Sequence, residues 1–413
     1  MSIKTDVSKA KTKIDPRLFA GKSFYHSSYA LWNAAIELQA SVVIWRLPHS
    51  SDLNLLIDFS TQHPPGPLDI QCGESGFAVS PFVNPDSGKS FFLHPHVQLT
   101  FHDNAISIES AAEAPANFWE LVEQHLTAPQ ANLTSHQQQL ETGLSEDRTH
   151  FLNLVNDALK LINCNKLEKV VVARTLKRPL PKRFDLIYLL SCLSSGCPDA
   201  FVSLVSMPDF GTWMGASPEM LMELSTDKQF RTVSLAGTQA YPKDAPLSDA
   251  VWKQKEIEEQ AMVSRFIVAQ FKSIRLREFQ EKGPRSIRAG SLIHLKSEYD
   301  VDLKAVHHPR LGDIMLQRLH PTSAICGMPR QAAQEFISSH EDMERGLYGG
   351  FLGPINMQGE SQLYVNLRCM QLQHAQVTYY SGAGITHDSV AEKEWQETEL
   401  KSKTLQEVVD ACQ

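Results

Sequence analysis

Short runs of β-branched and aromatic residues recur along this chain, each closed by Pro, Asn, Asp or Gly, with helical stretches between them at irregular intervals. Strands are expected at 41–47, 53–59, 76–79, 91–93 and 97–101, then at 169–174 and 200–205, and late in the chain at 362–367 and 376–380. A regular strand–helix alternation would have pointed to a doubly wound parallel sheet. Its absence points to an α+β fold with large sheets. At 413 residues the chain exceeds the roughly 100–200 of a usual domain. We read it as one large unit, with a β-rich first part over 1–144 and a chemistry-bearing part over 145–407.

Between these parts, residues 127–149 are polar and Gln-rich, which predicts a linker or an exposed helical connection. Ser145 is the expected N-cap of the next helix, with Glu146 and Asp147 in its first turn. Phe151, Leu154, Val155, Ala158, Leu161 and Ile162 then recur at helical spacing. Further helices are expected over 247–271 and 391–409. His94 and His96 flank a proline between two expected strands, a pattern that reads as a turn before it reads as a metal site.

Charge narrows the function classes. With 39 Lys and Arg against 47 Asp and Glu the net charge is −8, which gives no basic footprint for nucleic acid. The seven cysteines (Cys72, Cys164, Cys192, Cys197, Cys326, Cys369 and Cys412) are scattered and form no C-x-x-C pair, so reduced thiols are expected. The N-terminus has no apolar signal region, and no stretch approaches the ~18 apolar residues of a membrane span. A soluble, cytoplasmic protein is the expectation.

Several charged residues sit where apolar ones would be cheaper. Glu259 lies three, four and seven residues before Met262, Val263 and Phe266, on the same helical face. A carboxylate there is costly unless paired with a cation. Glu394, Glu397 and Lys401 share a face of the last helix, after the small-residue stretch Ser381-Gly-Ala-Gly384. One carboxylate from each helix would suit a Mg²⁺ that keeps waters and binds substrate oxygens. Lys169 opens a Val-rich strand, where lost hydration would make its amine a usable base. Glu219 follows Gly215-Ala-Ser-Pro218, and apolar walls would make its carboxyl an acid. The segment from Ser234 to Thr238 reads as a strand end entering a turn, and Arg368, ending another strand, can grip a carboxylate with two hydrogen bonds. Together these are the parts of acid–base chemistry on a small polycarboxylate.

The residues also match a family pattern. Lys-Val-Val-x-Ala-Arg at 169, Gly-Ala-Ser-Pro-Glu ending at 219 and Leu-Ala-Gly-Thr ending at 238 occur in that order. They are followed by His-Pro-Thr-Ser-Ala-Ile-Cys-Gly-x-Pro at 320 and Tyr-Gly-Gly-Phe-Leu-Gly at 348. Gly-Ala-Gly-Ile at 382 is then followed by Glu-Trp-x-Glu-Thr-x-x-Lys at 394. Over residues 145–407 the chain resembles the chorismate-utilising enzymes, and within them the isochorismate synthases.

The resemblance implies two packed antiparallel sheets with outer helices, a monomer, and an active site between the sheets. It implies that Lys169 activates water for attack at C2 of chorismate and that Glu219 protonates the departing C4 hydroxyl. Glu259 and Glu397 match Mg²⁺ ligands, with Glu394 supporting through water. Arg368, Tyr348, Gly384 and Lys401 match positions that bind substrate carboxylates. Gly237 and Thr238 match the ring pocket, and His294, in His-Leu-x-Ser, lies near it. Ala324 and Ile325 resemble the type that stops at isochorismate, since salicylate synthases carry Thr at the first position. Ala236 stands where aminodeoxychorismate synthases with a nucleophilic lysine carry it, and no N-terminal tryptophan-binding signature of anthranilate synthases is found. Gln260 replaces the usual His or Asn after the metal glutamate. The motif wording is closest to the menaquinone branch, with siderophore synthesis the other expected use.

Overall fold

The structure, a computed structural model, describes residues 16–19, 21–71, 73–82, 90–102, 105–110, 114–127, 133–180, 184–242, 245–289, 292–373 and 375–411. Three hairpins come first: β1 (Ser41–Arg46) with β2 (Leu53–Asp58), β3 (Gly76–Ser80) with β4 (Phe91–Leu93), and β5 (Val97–His102) with β6 (Ala105–Ser110). Helix α1 (Phe24–Glu37) precedes them and α2 (Phe118–Thr127) follows. After α3 (Arg148–Asn163) come β7 (Lys169–Pro179), α4 (Leu186–Gly196), β8 (Phe201–Met207), β9 (Gly211–Ser217), β10 (Met220–Leu224) and β11 (Gln229–Ala240). Helix α5 (Gln254–Ser273) leads to β12 (Gln280–Ala289) and β13 (Leu292–Asp302). The chain then runs through α6 (Leu311–Leu319), β14 (Gly327–Met328), α7 (Arg330–His340) and β15 (Phe351–Ile355). It ends with β16 (Ser361–Val365), β17 (Cys369–Leu372), β18 (Gln376–Ile385) and α8 (Ala391–Ala411).

These strands build two antiparallel sheets. One has ten strands in the order β14-β7-β18-β17-β9-β8-β1-β2-β5-β6; the other has eight, β12-β13-β11-β10-β16-β15-β3-β4. The α+β expectation is met, and the first 110 residues add strands to both sheets. Strand β1 shows how the layers form. All six of its residues are buried. Val42 and Ile44 turn toward apolar residues of α1 and α4, while Val43 and Trp45 turn inward to meet Phe77 and Val79 of the other sheet. Trp45 lies 5.0 Å from the Phe77 ring and is 1% exposed. Trp45→Ala should therefore cost about 3–5 kcal/mol, read as a lower urea midpoint with the fold retained.

Residues 133–147 correct the expectation of a linker. They cross the ten-stranded sheet as a packed strap. His136 is buried and its Nε2 lies 2.9 Å from the Ala40 carbonyl. Thr212 Oγ1 donates to the His136 carbonyl at 2.9 Å, and Gln371 Nε2 to that of Gln138 at 2.9 Å. The segment is polar because an irregular backbone against a sheet must find hydrogen-bond partners. The rest of the expected linker, 128–132, lies outside the described residues. Ser145 does not cap α3: its hydroxyl meets Thr175 Oγ1 at 2.5 Å, and Asp147 is the cap, accepting from the His150 N–H at 2.7 Å.

The helix expected from residue 247 begins at Gln254, after a single 3-10 turn over Leu247–Asp249. Glu256 accepts from the Lys253 N–H at 3.1 Å and sets that start. Cys164, Cys192, Cys197, Cys326 and Cys369 are free thiols; Cys72 and Cys412 lie outside the described residues. No helix among the described residues is long and apolar enough to cross a membrane. His96 closes a turn against the buried Asp58 carboxylate, 2.9 Å away.

Candidate active site

Two of the chain's passages between the sheets lie side by side, and the site is built there. Pro218 and Glu219 link β9 of the ten-stranded sheet to β10 of the eight-stranded one, and Asn366 to Arg368 make the return from β16 to β17. The crossings are tied together. Val365 N–H donates to the Glu219 carbonyl at 3.0 Å, Ser217 Oγ to the Val365 carbonyl at 2.5 Å, and Ala216 N–H to the Arg368 carbonyl at 3.1 Å. Arg368 is thus not a strand end, as expected, but a turn residue with φ +46°. A non-glycine residue held there is strained, a condition that surrounding contacts must impose.

A cleft opens at these crossings. Eleven of the fourteen expected residues line it: Glu219, Gly237, Thr238, Glu259, His294, Ala324, Ile325, Tyr348, Arg368, Gly384 and Lys401. Gly237 lies inside β11, not in a turn after it, at a bulge with φ +68°. A Cβ there would come within 3.0 Å of Glu256 on α5. Gly384 is small for a different reason: a Cβ would sit 2.6 Å from Glu259 Oε1 and 3.0 Å from Lys169 Cε. At Gly382 it would sit 2.6 Å from the Tyr348 hydroxyl. These two alternate residues of β18 clear the space that the site's side chains occupy.

The charges form a network. Lys169 is fully buried, and its Nζ lies 2.9 Å from Glu259 Oε1. Lys401 Nζ donates to the Gly382 carbonyl at 2.9 Å and pairs with Glu397 Oε1 at 2.8 Å. Lys255, one helical turn before Glu259, reaches Glu394 Oε1 at 2.6 Å and Glu397 Oε2 at 3.8 Å. Three lysines thus meet three glutamates. Burial alone would raise the Glu259 pKa, but Lys169, Lys401 and Lys255 overcome it and hold that carboxylate ionised, at about 2. Burial wins at Glu219. It pushes the pKa to about 7 against the opposing pull of Lys169 and Lys401.

His294 is set by its neighbours. Its Nδ1 lies 3.0 Å from the Gly237 carbonyl and 3.3 Å from Thr238 Oγ1; its Nε2 faces Arg368 Nη2 at 2.8 Å. Burial first, and then the Arg368 charge, hold its pKa down at about 3. A neutral ring donating from Nδ1 and accepting at Nε2 fits both contacts, so His294 orients Arg368. Arg345 fixes another wall. It is buried, pairs with Glu341, and donates to the carbonyls of Val171 at 2.8 Å and Ile325 at 3.1 Å.

Among the described residues no three His, Cys, Asp or Glu side chains stand close enough to hold a metal ion by themselves. The oxygen donors nonetheless fit a hard divalent cation that keeps waters. Glu394 is 1% exposed, and its Oε2 makes no hydrogen bond of ordinary geometry. Gln260 fixes which face of α5 meets the cleft. Its amide is buried and donates to Ser234 Oγ at 2.5 Å and Ser297 Oγ at 3.2 Å, which turns Glu259 to the cleft and leaves Glu258 exposed.

Sequence reasoning missed Lys255, although its i, i+4 spacing from Glu259 was visible. It also missed Tyr380, which shares a strand face with Gly382 and Gly384 and lines the cleft.

Comparison with known proteins identifies relatives. A family model described as chorismate binding enzyme matches residues 55–410. The chain is 28% identical over 264 residues to the isochorismate synthase EntC of Escherichia coli strain K12, an alignment spanning 63% of this chain and 66% of that protein. The chain thus spans just under two thirds of that relative. Its fold matches MenF, the menaquinone-specific isochorismate synthase from Escherichia coli, with a TM-score of 0.71 at 21% identity, over 92% of this chain and 91% of that one. It also matches anthranilate synthase component I from Streptococcus pneumoniae, with a TM-score of 0.62 at 19% identity, over 89% and 92% of the two chains.

Proposed function

This chain belongs to the chorismate-binding enzyme family, and we propose that within it the chain is an isochorismate synthase, a Mg²⁺-dependent isomerase. Water would add at C2 of chorismate as the C4 hydroxyl leaves. The observation that carries this reading is one cleft lined by Glu219, whose pKa burial raises to about 7, and by Glu259, which is ion-paired to the buried Lys169 behind it.

Lys169 takes the proton of the attacking water. Its ionic partner is Glu259, the carboxylate that would also face the cation. Glu219 gives its proton to the departing hydroxyl. One bond to oxygen forms at C2, one breaks at C4, and one proton enters and one leaves, so the reaction balances as an isomerisation. Glu259 and Glu397 would hold Mg²⁺, with Glu394 supporting through water, and the chemistry such an ion would supply is neutralisation and orientation of the ring carboxylate. Arg368, held by His294, receives a substrate carboxylate with Tyr348 and Lys401 beside it. Gly237 and Thr238 face the ring.

Two small residues support isomerisation over the alternatives. Ala236 lines the cleft with no amine to attack the ring, and Ala324 lines it without a hydroxyl. The test is product chromatography after incubation with chorismate and Mg²⁺ in the absence of ammonia. Isochorismate is the expected product. Pyruvate release from the first turnover, a product that needs ammonia, or binding without turnover would each overturn the proposal.

A further inference from the structure

We propose that Lys255 is the built-in counter-cation of the carboxylate site: its ammonium occupies the place between Glu394 and Glu397 until a divalent ion displaces it, and it thereby sets the affinity for that ion. The inference rests on the reading above that these carboxylates receive the cation.

Four observations carry it. Lys255 Nζ contacts one oxygen from each glutamate, Glu394 Oε1 at 2.6 Å and Glu397 Oε2 at 3.8 Å. The other Glu397 oxygen is taken by Lys401 at 2.8 Å, so the oxygen facing Lys255 is the one left for an ion. The second Glu394 oxygen is buried and makes no hydrogen bond of ordinary geometry, with only the Ser389 side chain near, which leaves it room for a further contact. Finally, the Lys255 side chain is 23% exposed at the start of α5, so its four-carbon stem can leave toward water without unpacking the core.

An ion held by Glu397 with its water on Glu394 would meet the Lys255 ammonium at both carboxylates, and the repulsion of the two cations there makes binding of one oppose the other. Lys255 also joins α5 to α8, the two helices that carry the carboxylates. In the first turn of α5, Glu256 packs over Gly237 and the indole of nearby Trp252 donates to Ser286 Oγ at 2.9 Å. Displacement of Lys255 therefore takes place beside the ring pocket.

The test measures metal binding without substrate. Full-length wild type, Lys255→Met and Lys255→Arg are titrated with Mg²⁺ by calorimetry, and Mn²⁺ binding is followed by electron paramagnetic resonance. Lys255→Met, freed of its competitor, should bind about fivefold more tightly than wild type, the scale of one partly exposed charge pair. Lys255→Arg, whose planar fork can hold both carboxylates, should bind more weakly than wild type. Equal or weaker binding by Lys255→Met overturns the inference, as does a wild type that takes up neither ion. If Lys255→Met does not fold without metal, the rise in melting temperature on adding Mg²⁺ is compared between Lys255→Arg and wild type; a smaller rise supports the inference and an equal or larger one overturns it. Chorismate turnover is scored separately. A wild type that binds Mg²⁺ as expected yet makes no isochorismate would remove the proposed reaction and leave this role of Lys255 standing.

Discussion

Glu219→Gln is expected to lower the rate of isochorismate formation by about 10³-fold while changing the affinity for chorismate little. The amide keeps the size and the polar contacts of the carboxyl but has no proton to give, and acid catalysis by a positioned group is typically worth roughly 10²–10⁴-fold. The pH profile of wild type supplies the second half of the test. Burial lifts the Glu219 pKa to about 7, so the donor form dominates below that value and is lost above it. The sign follows: kcat/KM should fall tenfold per unit as pH rises beyond about 7. A profile flat from pH 7 to 8.5, or a Gln variant retaining a tenth of the rate, would remove Glu219 from the acid role.

Lys169→Ala should be as damaging, again about 10³-fold in rate, and for a reason that can be separated from folding. The side chain is fully buried and pairs with Glu259, so its loss would leave a carboxylate without its cation and, in the proposed mechanism, water without its base. Added small amines should restore part of the activity of the Ala variant by entering the vacated space, and the restored rate should rise with the unprotonated fraction of the amine. No response to amine, with the melting temperature and Mg²⁺ binding unchanged, would mean that Lys169 serves only as a counterion.

The sequence made the elements legible where one physical signal dominated. The Val-rich run at 169–174 and the doubly buried run at 41–46 declared themselves as strands, because only a strand covered on both faces carries such continuous apolar character. Which sheet each would join was not legible. β3 and β4 follow β2 in the chain yet enter the other sheet, and the period-2 pattern specifies faces but not partners. The strap over 133–147 misled for a related reason: polar residues that satisfy an irregular backbone look the same in sequence as polar residues facing water. At the site, Glu219 and Arg368 could be named from their motifs, but their placement at adjacent crossings between the sheets exists only in three dimensions. Lys255 was hidden because a lysine in the first turn of a helix reads as solvated, and its partners lie about 140 residues away.

The pairing of β1 with β8, and of β3 with β15, bears on how the protein is made. Strand β1 leaves the ribosome some 160 residues before its second neighbour is synthesised, and β3 more than 270 before β15. During that interval the backbone donors and acceptors on the edge of each strand away from its hairpin partner have no native mate, the circumstance in which nascent strands join the wrong chain. Assembly of this molecule is therefore a late, post-synthetic event, and its yield in a cell should depend on whatever shelters the growing polypeptide until the last sheet can close.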